Sequence, residues 1–493
     1  MSENGATPKP YEGFDRMPIA GKWREGRAGK SRNDANPYTG ESLLEIPLAD
    51  ADDLDEAYRA AEEAQRGWAA MLPQERRDII EGAARVLEQR KEEVIGWISR
   101  EAGGVRFRAE LEWNLVREGM KEAATYPMHA TGEILPATIP GKENRVYREP
   151  VGVVGVISPW NFPMQLSNRS VSPALACGNG VVLKPASDTP VTGGLLLAKI
   201  YEEAGLPEGL LSVVIGSGSD IGDAFVEHPI PRVISFTGST AVGQHIGELC
   251  GRHVKKASLE LGGNGPLVIL EDADLDLAVD AAVNGNFTHQ GQVCMATNRV
   301  VVDRSIHDEF MERFVEKASL LKVGDPTDPD TDIGPIINQS QLEDIQEKVR
   351  DTVAAGAEKV LGGEDAEGFV MPPTILSGVT MEMRAAKEEI FGPVAPVIAS
   401  GGEEDALRIA NDTEFGLSSA VFTRDLERGV RFARRVEAGM THVNDHTIND
   451  EPNTAFGGEK MSGLGRFGGR WALDEFTTEH WVSVQHSPRT YPL

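Results

Sequence analysis

From residue 151 the chain alternates short, unbroken apolar runs with longer helical stretches, and few folds accommodate that rhythm. Val151-Gly152-Val153-Val154-Gly155-Val156-Ile157 is apolar throughout. This is the pattern of a strand buried on both faces, not the every-other-residue pattern of a half-exposed one. A helix is predicted over 163–177, then a strand over 180–184, a helix over 190–204 and a strand over 211–215. Helix 220–227, strand 232–236, helix 240–251 and strand 256–261 continue the series. Strand–helix alternation with short connections predicts an α/β fold built on a parallel, doubly wound, Rossmann-like sheet. A second alternating set spans about 265–460, with strands at 267–270, 298–303, 395–398 and 441–444. A chain of 493 residues exceeds one ordinary core, so two or three domains are expected.

Ahead of this region, acidic Asp52-Asp53 suit the positive end of a helix that runs to Trp68. Amphipathic helices are predicted over 74–101 and 106–126. Segments 131–135 and 144–149 alternate, with Pro136, Pro140 and Gly141 between them, and predict a projecting hairpin. Trp481-Val482-Ser483-Val484-Gln485 alternates before an exposed tail and predicts a strand that pairs with another element or subunit.

Charge excludes some partners. Asp plus Glu total 77 against 49 Lys plus Arg, a net charge of −28. Such a surface repels phosphate backbones and anionic membranes, which argues against nucleic-acid or membrane partners. Lys (16) is scarcer than Arg (33); a salt-adapted enzyme and a plainly acidic one both fit that balance. The polar start Met1-Ser2-Glu3-Asn4-Gly5 lacks an apolar leader segment, and no run of 18 apolar residues is present. Three cysteines are too few for a disulfide framework. The expectation is a reduced, cytoplasmic protein. The histidines show no metal-ligand spacing, so no metal is expected.

Several segments carry chemistry. Cys294 stands in Gly291-Gln292-Val293-Cys294, and Glu260 in Leu259-Glu260-Leu261-Gly262-Gly263. A thiol must be activated to attack carbon, and the resulting bond needs a base to undo it. The chain offers one candidate for each task, although an isolated Cys is as readily a buried small hydrophobe. Asn161, in Ser158-Pro159-Trp160-Asn161-Phe162-Pro163, follows the first buried strand, where an amide can face a developing oxyanion or simply stabilise a turn. Gly238-Ser239-Thr240 joins a strand to a helix, as a phosphate site or a tight turn would. Gly216-Ser217-Gly218 repeats that arrangement more weakly. Lys184 ends a buried strand, facing a cleft or reaching to solvent. Glu389 precedes Ile390-Phe391-Gly392-Pro393, as a ribose-binding carboxylate or part of a solvated turn.

Together these segments resemble the aldehyde dehydrogenase superfamily. The resemblance rests on Pro159–Pro163, Lys184–Ser187, Phe236–Thr240, Glu260–Gly263, Gly291–Cys294, Glu389–Pro393 and Asn453–Gly463, in family order across most of the chain. It implies a nicotinamide cofactor, NAD or NADP, and a small-molecule aldehyde substrate. Cys294 would be the nucleophile, Glu260 the general base, and Asn161 with the Cys294 N–H the oxyanion hole. Lys184 and Ser187 would serve the adenosine side, with Gly238 and Ser239 at the pyrophosphate and Gln341, Glu389 and Phe391 on the nicotinamide side. Ser158, Trp160, Gly216 and Leu261 would also bind the cofactor. Leu166, Arg169 and Phe456 would meet substrate. The implied reaction oxidises the aldehyde to a carboxylic acid through a thiohemiacetal and a thioester. The alternatives are transfer of that thioester to CoA, which retained Glu260 disfavours, and a non-catalytic member.

The resemblance also divides the chain. Residues 1–129 and 150–261 would bind NAD(P), 262–460 would form the catalytic domain, and 130–149 with 474–493 would assemble a homodimer or homotetramer. There are departures from the family pattern. Ser187 stands where NAD-preferring members often carry Glu, which admits NADP, and Ser170 stands where many have Lys. Ser167-Asn168-Arg169-Ser170, Asn444-Asp445-His446-Thr447 and Asn449-Asp450-Glu451-Pro452 are similar to the benzaldehyde and vanillin dehydrogenase branch, which implies an aromatic aldehyde.

Overall fold

The computed structural model describes residues 8–362 and 366–492; the N-terminal residues 1–5 read above for a leader lie outside them. The predicted alternation becomes two α/β sheets. The strand order of the first is Gly463–Leu464, Lys256–Glu260, Val233–Thr237, Val153–Ile157, Gly180–Lys184 and Leu211–Val213. All pairs are parallel except that of the short edge strand Gly463–Leu464 with Lys256–Glu260. Both faces carry helices, which is why Val154, Val181 and Val182 are fully buried.

The chain enters this sheet at Val153–Ile157, builds outward through Gly180–Lys184 and Leu211–Val213, then returns to lay Val233–Thr237 on the other side. The order therefore reverses between Val153–Ile157 and Val233–Thr237. The helices leave in opposite directions at such a point and open a crevice at the carboxyl ends of the strands. The loops that emerge there are Ser158–Asn161 and Gly238–Ser239.

The second sheet has the order Glu358–Leu361, Thr374–Ser377, Val394–Ser400, Thr297–Asp303, Gly265–Ile269, Ser418–Phe422 and Met440–Val443. Only Glu358–Leu361 runs antiparallel to its neighbour. Thr297–Asp303 is buried along its whole length. Cys294 lies just ahead of that strand, so the amino end of the second sheet faces the carboxyl ends of the first.

The predicted hairpin forms between Glu133–Leu135 and Lys142–Pro150. The C-terminal strand Thr477–Gln485 pairs antiparallel with Lys142–Pro150 over its full length, so its partner lies in the same chain. The helix expected over 74–101 is two helices, Pro73–Gln89 and Lys91–Ala102, broken at Arg90 (φ −106°, ψ 21°). No glycine or proline marks the break. Arg90 turns inward there to pair with Glu93 and Glu203 and to donate to the Lys9 carbonyl. Among the described residues, no helix is long and apolar enough to cross a membrane.

Candidate active site

Three segments converge on the crevice. The first leaves Val153–Ile157 and enters the helix Pro163–Ala176. Pro163 begins that helix, where its missing N–H costs nothing. Asn161 is buried, and its side-chain amide donates to the Gln292 carbonyl at 3.0 Å. An amide group has two hydrogens, so one is held and one remains for a ligand.

Glu260 is the last residue of its strand, and the turn after it must pass close to the cysteine segment. A Cβ at Gly263 would lie 2.3 Å from the Cys294 carbonyl oxygen, and one at Gly262 would lie 2.6 Å from Glu389 Oε2. Only glycine permits both approaches. Arg299, fully buried in Thr297–Asp303, donates to the Asn264 carbonyl at 3.2 and 2.8 Å and anchors the turn.

The third segment carries Cys294. His289 and Gln290 ahead of it hold left-handed backbone (φ 52° and 55°), a cost on the order of 1–2 kcal/mol per residue without glycine. Side chains hold the strained turn in place. Gln290 donates to the Pro335 carbonyl at 2.8 Å, and Gln292 Oε1 accepts from the Ile337 N–H at 3.0 Å. Nothing in the local sequence signals this turn, since neither left-handed position is Gly or Asn.

Two cavities meet at Cys294. One, of about 300 Å³, is lined by Trp160, Gly238, Ser239, Leu261, Gln341, Glu389 and Phe391 together with Asn161, Glu260 and Cys294. The other, of about 280 Å³, is lined by Leu166, Arg169, Phe456, Phe107, Phe162 and Ile448, and shares Asn161, Leu166 and Cys294 with the first. Ser158, Lys184, Ser187 and Gly216 line neither. They lie at or after the carboxyl ends of Val153–Ile157, Gly180–Lys184 and Leu211–Val213. Ser158 Oγ accepts from Ser167 Oγ at 2.7 Å. Lys184 is buried, and desolvation with nearby Arg32 brings its ammonium down to about 8. Phe107, Phe162 and Ile448 were not foreseen from sequence; nothing local distinguishes them from other apolar positions.

The electrostatics are those of a dry site. Burial pushes the Glu260 carboxyl up to about 8; Arg169 and Arg466 oppose the rise, and Asp450 and Glu475 add to it. Burial also pushes the Cys294 thiol up to about 12; Arg169 opposes this, and Glu389, Glu260 and Asp450 reinforce it. Glu389 rises to about 7 by burial, against the Gly263 N–H that bonds it and nearby Lys348. Both Glu260 oxygens and Arg169 Nη1 are buried without a hydrogen-bond partner among the described residues. Arg169 pairs with Asp450 and lies over the Phe456 ring, 3.7 Å from its centroid. Buried polar groups are normally satisfied, so such exceptions mark places where a ligand or water completes the site. The arrangement offers a thiol, an uncommitted carboxyl and an amide donor around one junction.

The aldehyde dehydrogenase family profile matches residues 23–482. A benzaldehyde dehydrogenase of Bacillus subtilis (strain 168) is 55% identical over 483 residues, covering 98% of this chain and 99% of the relative. The crystal structure of an NAD-dependent benzaldehyde dehydrogenase from Corynebacterium glutamicum is 46% identical with a TM-score of 0.89, covering 96% of this chain and 97% of that one. A salicylaldehyde dehydrogenase from Pseudomonas putida G7, crystallised with salicylaldehyde, is 38% identical with a TM-score of 0.94, covering 97% of this chain and 99% of that one. With a profile match over residues 23–482 and a near-full-length relative at 55% identity, the chain belongs to the aldehyde dehydrogenase family.

Proposed function

We propose that this enzyme oxidises aromatic aldehydes to carboxylic acids at Cys294, with Asn161 stabilising the oxyanion and Glu260 moving protons. The observation that carries the reading is the junction itself. Cys294 and Asn161 line both cavities, so a group bound in one meets a group bound in the other at the thiol.

The cavity bearing Trp160 suits a nicotinamide nucleotide, NAD or NADP. Glu389 reaches its wall only because Gly262 lacks a Cβ, and its Oε1 accepts from the Gly263 N–H at 2.9 Å. Its other oxygen is suited to ribose hydroxyls. Gly238 and Ser239 precede the helix Thr240–Arg252, whose first N–H groups and positive end suit a pyrophosphate. Gln341 and Phe391 would border the nicotinamide, and Lys184, Ser187, Ser158 and Gly216 the adenosine portion. Bound there, the cofactor supplies a hydride acceptor.

The chain's own groups do the rest. Cys294 gives its proton to Glu260 or solvent, and the thiolate adds to the aldehyde carbon. The carbonyl oxygen becomes an alkoxide that accepts from the free Asn161 amide hydrogen and the Cys294 N–H. Loss of hydride from carbon leaves a thioester on Sγ. Glu260 then takes a proton from water, the hydroxide attacks the thioester, and the acid departs as Sγ is released.

Aromatic substrates are favoured because Phe107, Phe162 and Phe456 wall the substrate cavity and because the similar enzymes named above act on benzaldehyde and salicylaldehyde. Leu166 and Arg169 would complete the pocket. A panel of aromatic and aliphatic aldehydes with NAD and NADP tests the reading. A kcat/KM that favours aromatic aldehydes is expected, and equal turnover of short aliphatic aldehydes would refute it.

We also propose that residues 1–129 and 150–261 form the cofactor domain, 262–460 the catalytic domain, and 130–149 with 474–493 the assembly element of a cytoplasmic homodimer or homotetramer. Exposed Ile134 and Tyr147, on one face of the small sheet, support a covered face, and three free cysteines suit a reducing compartment. Sedimentation as a monomer at micromolar concentration would contradict the assembly.

A further inference from the structure

Arg108 and Glu112 stand one turn apart on the helix Arg106–Ala123, both at 0% exposure, and pair at 2.6 Å. A buried ion pair is a poor way to gain stability, because desolvating two charges offsets most of their attraction. What this pair grips is therefore informative. Arg108 Nη2 donates to the carbonyl oxygen of Asn161, and its guanidinium lies 4.3 Å from the centroid of the Phe162 ring. Glu112 Oε1 accepts from the backbone N–H groups of Met164 at 2.8 Å and Gln165 at 3.1 Å. Those donors belong to the first turn of Pro163–Ala176, where no intrahelical acceptor exists, and Phe162 provides no side-chain cap. Phe162 itself sits at φ −125°, ψ 67°, outside the well-populated basins. A cation thus holds the carbonyl on one side of this turn and an anion holds the amides on the other.

We propose that Arg108 and Glu112 are positioning residues for the oxyanion donor: together they fix the Asn161 backbone so that one amide hydrogen stays on the Gln292 carbonyl and the other meets the aldehyde oxygen. This rests on the role given to Asn161 above. Neither residue lines the cavities that meet at Cys294, so both act through the turn they hold and not by touching a bound group.

The test is a double-mutant cycle read by single-turnover hydride transfer, using Arg108→Met and Glu112→Gln, each alone and combined with Asn161→Ala. Alone, each slows hydride transfer by about tenfold or more, as expected when a reacting group is displaced by a fraction of an ångström to an ångström. Cofactor affinity stays near the parent value, since the cavity bearing Trp160 is lined by neither Phe162 nor Gln165. Added to Asn161→Ala, each costs less than about twofold, because the donor they position is gone. The same fold-loss in both backgrounds would overturn the proposal. Normal turnover by Asn161→Ala would overturn the oxyanion reading first and the positioning role with it, an outcome distinct from additivity. Glu112→Gln is nearly isosteric and carries the cycle if Arg108→Met fails to fold.

Discussion

The side-chain amide of Asn161 donates to the backbone carbonyl of Gln292 at 3.0 Å, which ties the loop after the first buried strand to the turn that presents Cys294. One amide hydrogen is thereby committed before any substrate arrives. The other is preorganised, and preorganised donors need no rearrangement during reaction. Asn161→Ala is expected to keep the fold and lose about 10²–10³-fold in kcat. Steady-state kinetics beside a thermal melt check this, and normal turnover would remove Asn161 from the mechanism.

Burial of Glu260 governs both a rate and a stability. Its folded pKa, about 8, lies above the ordinary carboxyl value of 4.5. Thioester hydrolysis needs the carboxylate, so the deacylation rate should rise with pH through about 8. Glu260→Gln abolishes that limb, and stopped-flow absorbance should show a single burst of reduced cofactor followed by a stall. Steady multiple turnover would refute the role.

The same shift bears on stability. Between the unfolded and folded pKa values the native state binds more protons than the unfolded one, so stability falls as pH rises through that window. Glu260→Gln escapes this loss. Its melting temperature relative to the parent should climb from pH 5 to pH 9, and a constant difference would contradict the assigned burial effect.

Arg169 is the cation that opposes the upward shifts of both Cys294 and Glu260. Arg169→Met removes it and leaves Asp450 unpaired near the same groups. The rising limb of the pH–rate profile should move to higher pH, by roughly tenfold in rate at fixed neutral pH for each unit of displacement. An unmoved profile would show that the guanidinium serves only packing against Phe456.

Ser187, proposed to border the adenosine ribose, carries a hydroxyl and not a carboxylate. Ser187→Glu should weaken NADP use by about tenfold or more through like-charge repulsion, with NAD affected far less. Parallel KM measurements with both cofactors test this, and equal losses would mean that Ser187 does not face the 2′ position.

Much of this architecture was readable in the sequence because strands buried on both faces leave unbroken apolar runs, as at Val153–Ile157 and Gly180–Lys184. Glu260 and Cys294 have glycine neighbours and Asn161 lies between prolines, but each alone left a bland reading open; the family resemblance singled them out, and only the fold brings the three together. Other features left no local trace. Opposite charges at i and i+4 on an amphipathic helix ordinarily face solvent, yet Arg108 and Glu112 are both fully buried. Arg90 breaks a helix for the sake of partners as distant in sequence as Glu203. The left-handed turn at His289 and Gln290 is imposed by partners such as Pro335 and Ile337 rather than by its own residues.

The central claim is that oxidation passes through a thioester on Cys294. Its most direct test is peptide-resolved mass spectrometry of Glu260→Gln, quenched in acid after mixing with benzaldehyde and oxidised cofactor. One acyl group per chain on the Cys294 peptide, absent without cofactor and absent in Cys294→Ala, is the expected result. Acylation elsewhere, or aldehyde oxidation that persists in Cys294→Ala, would contradict it.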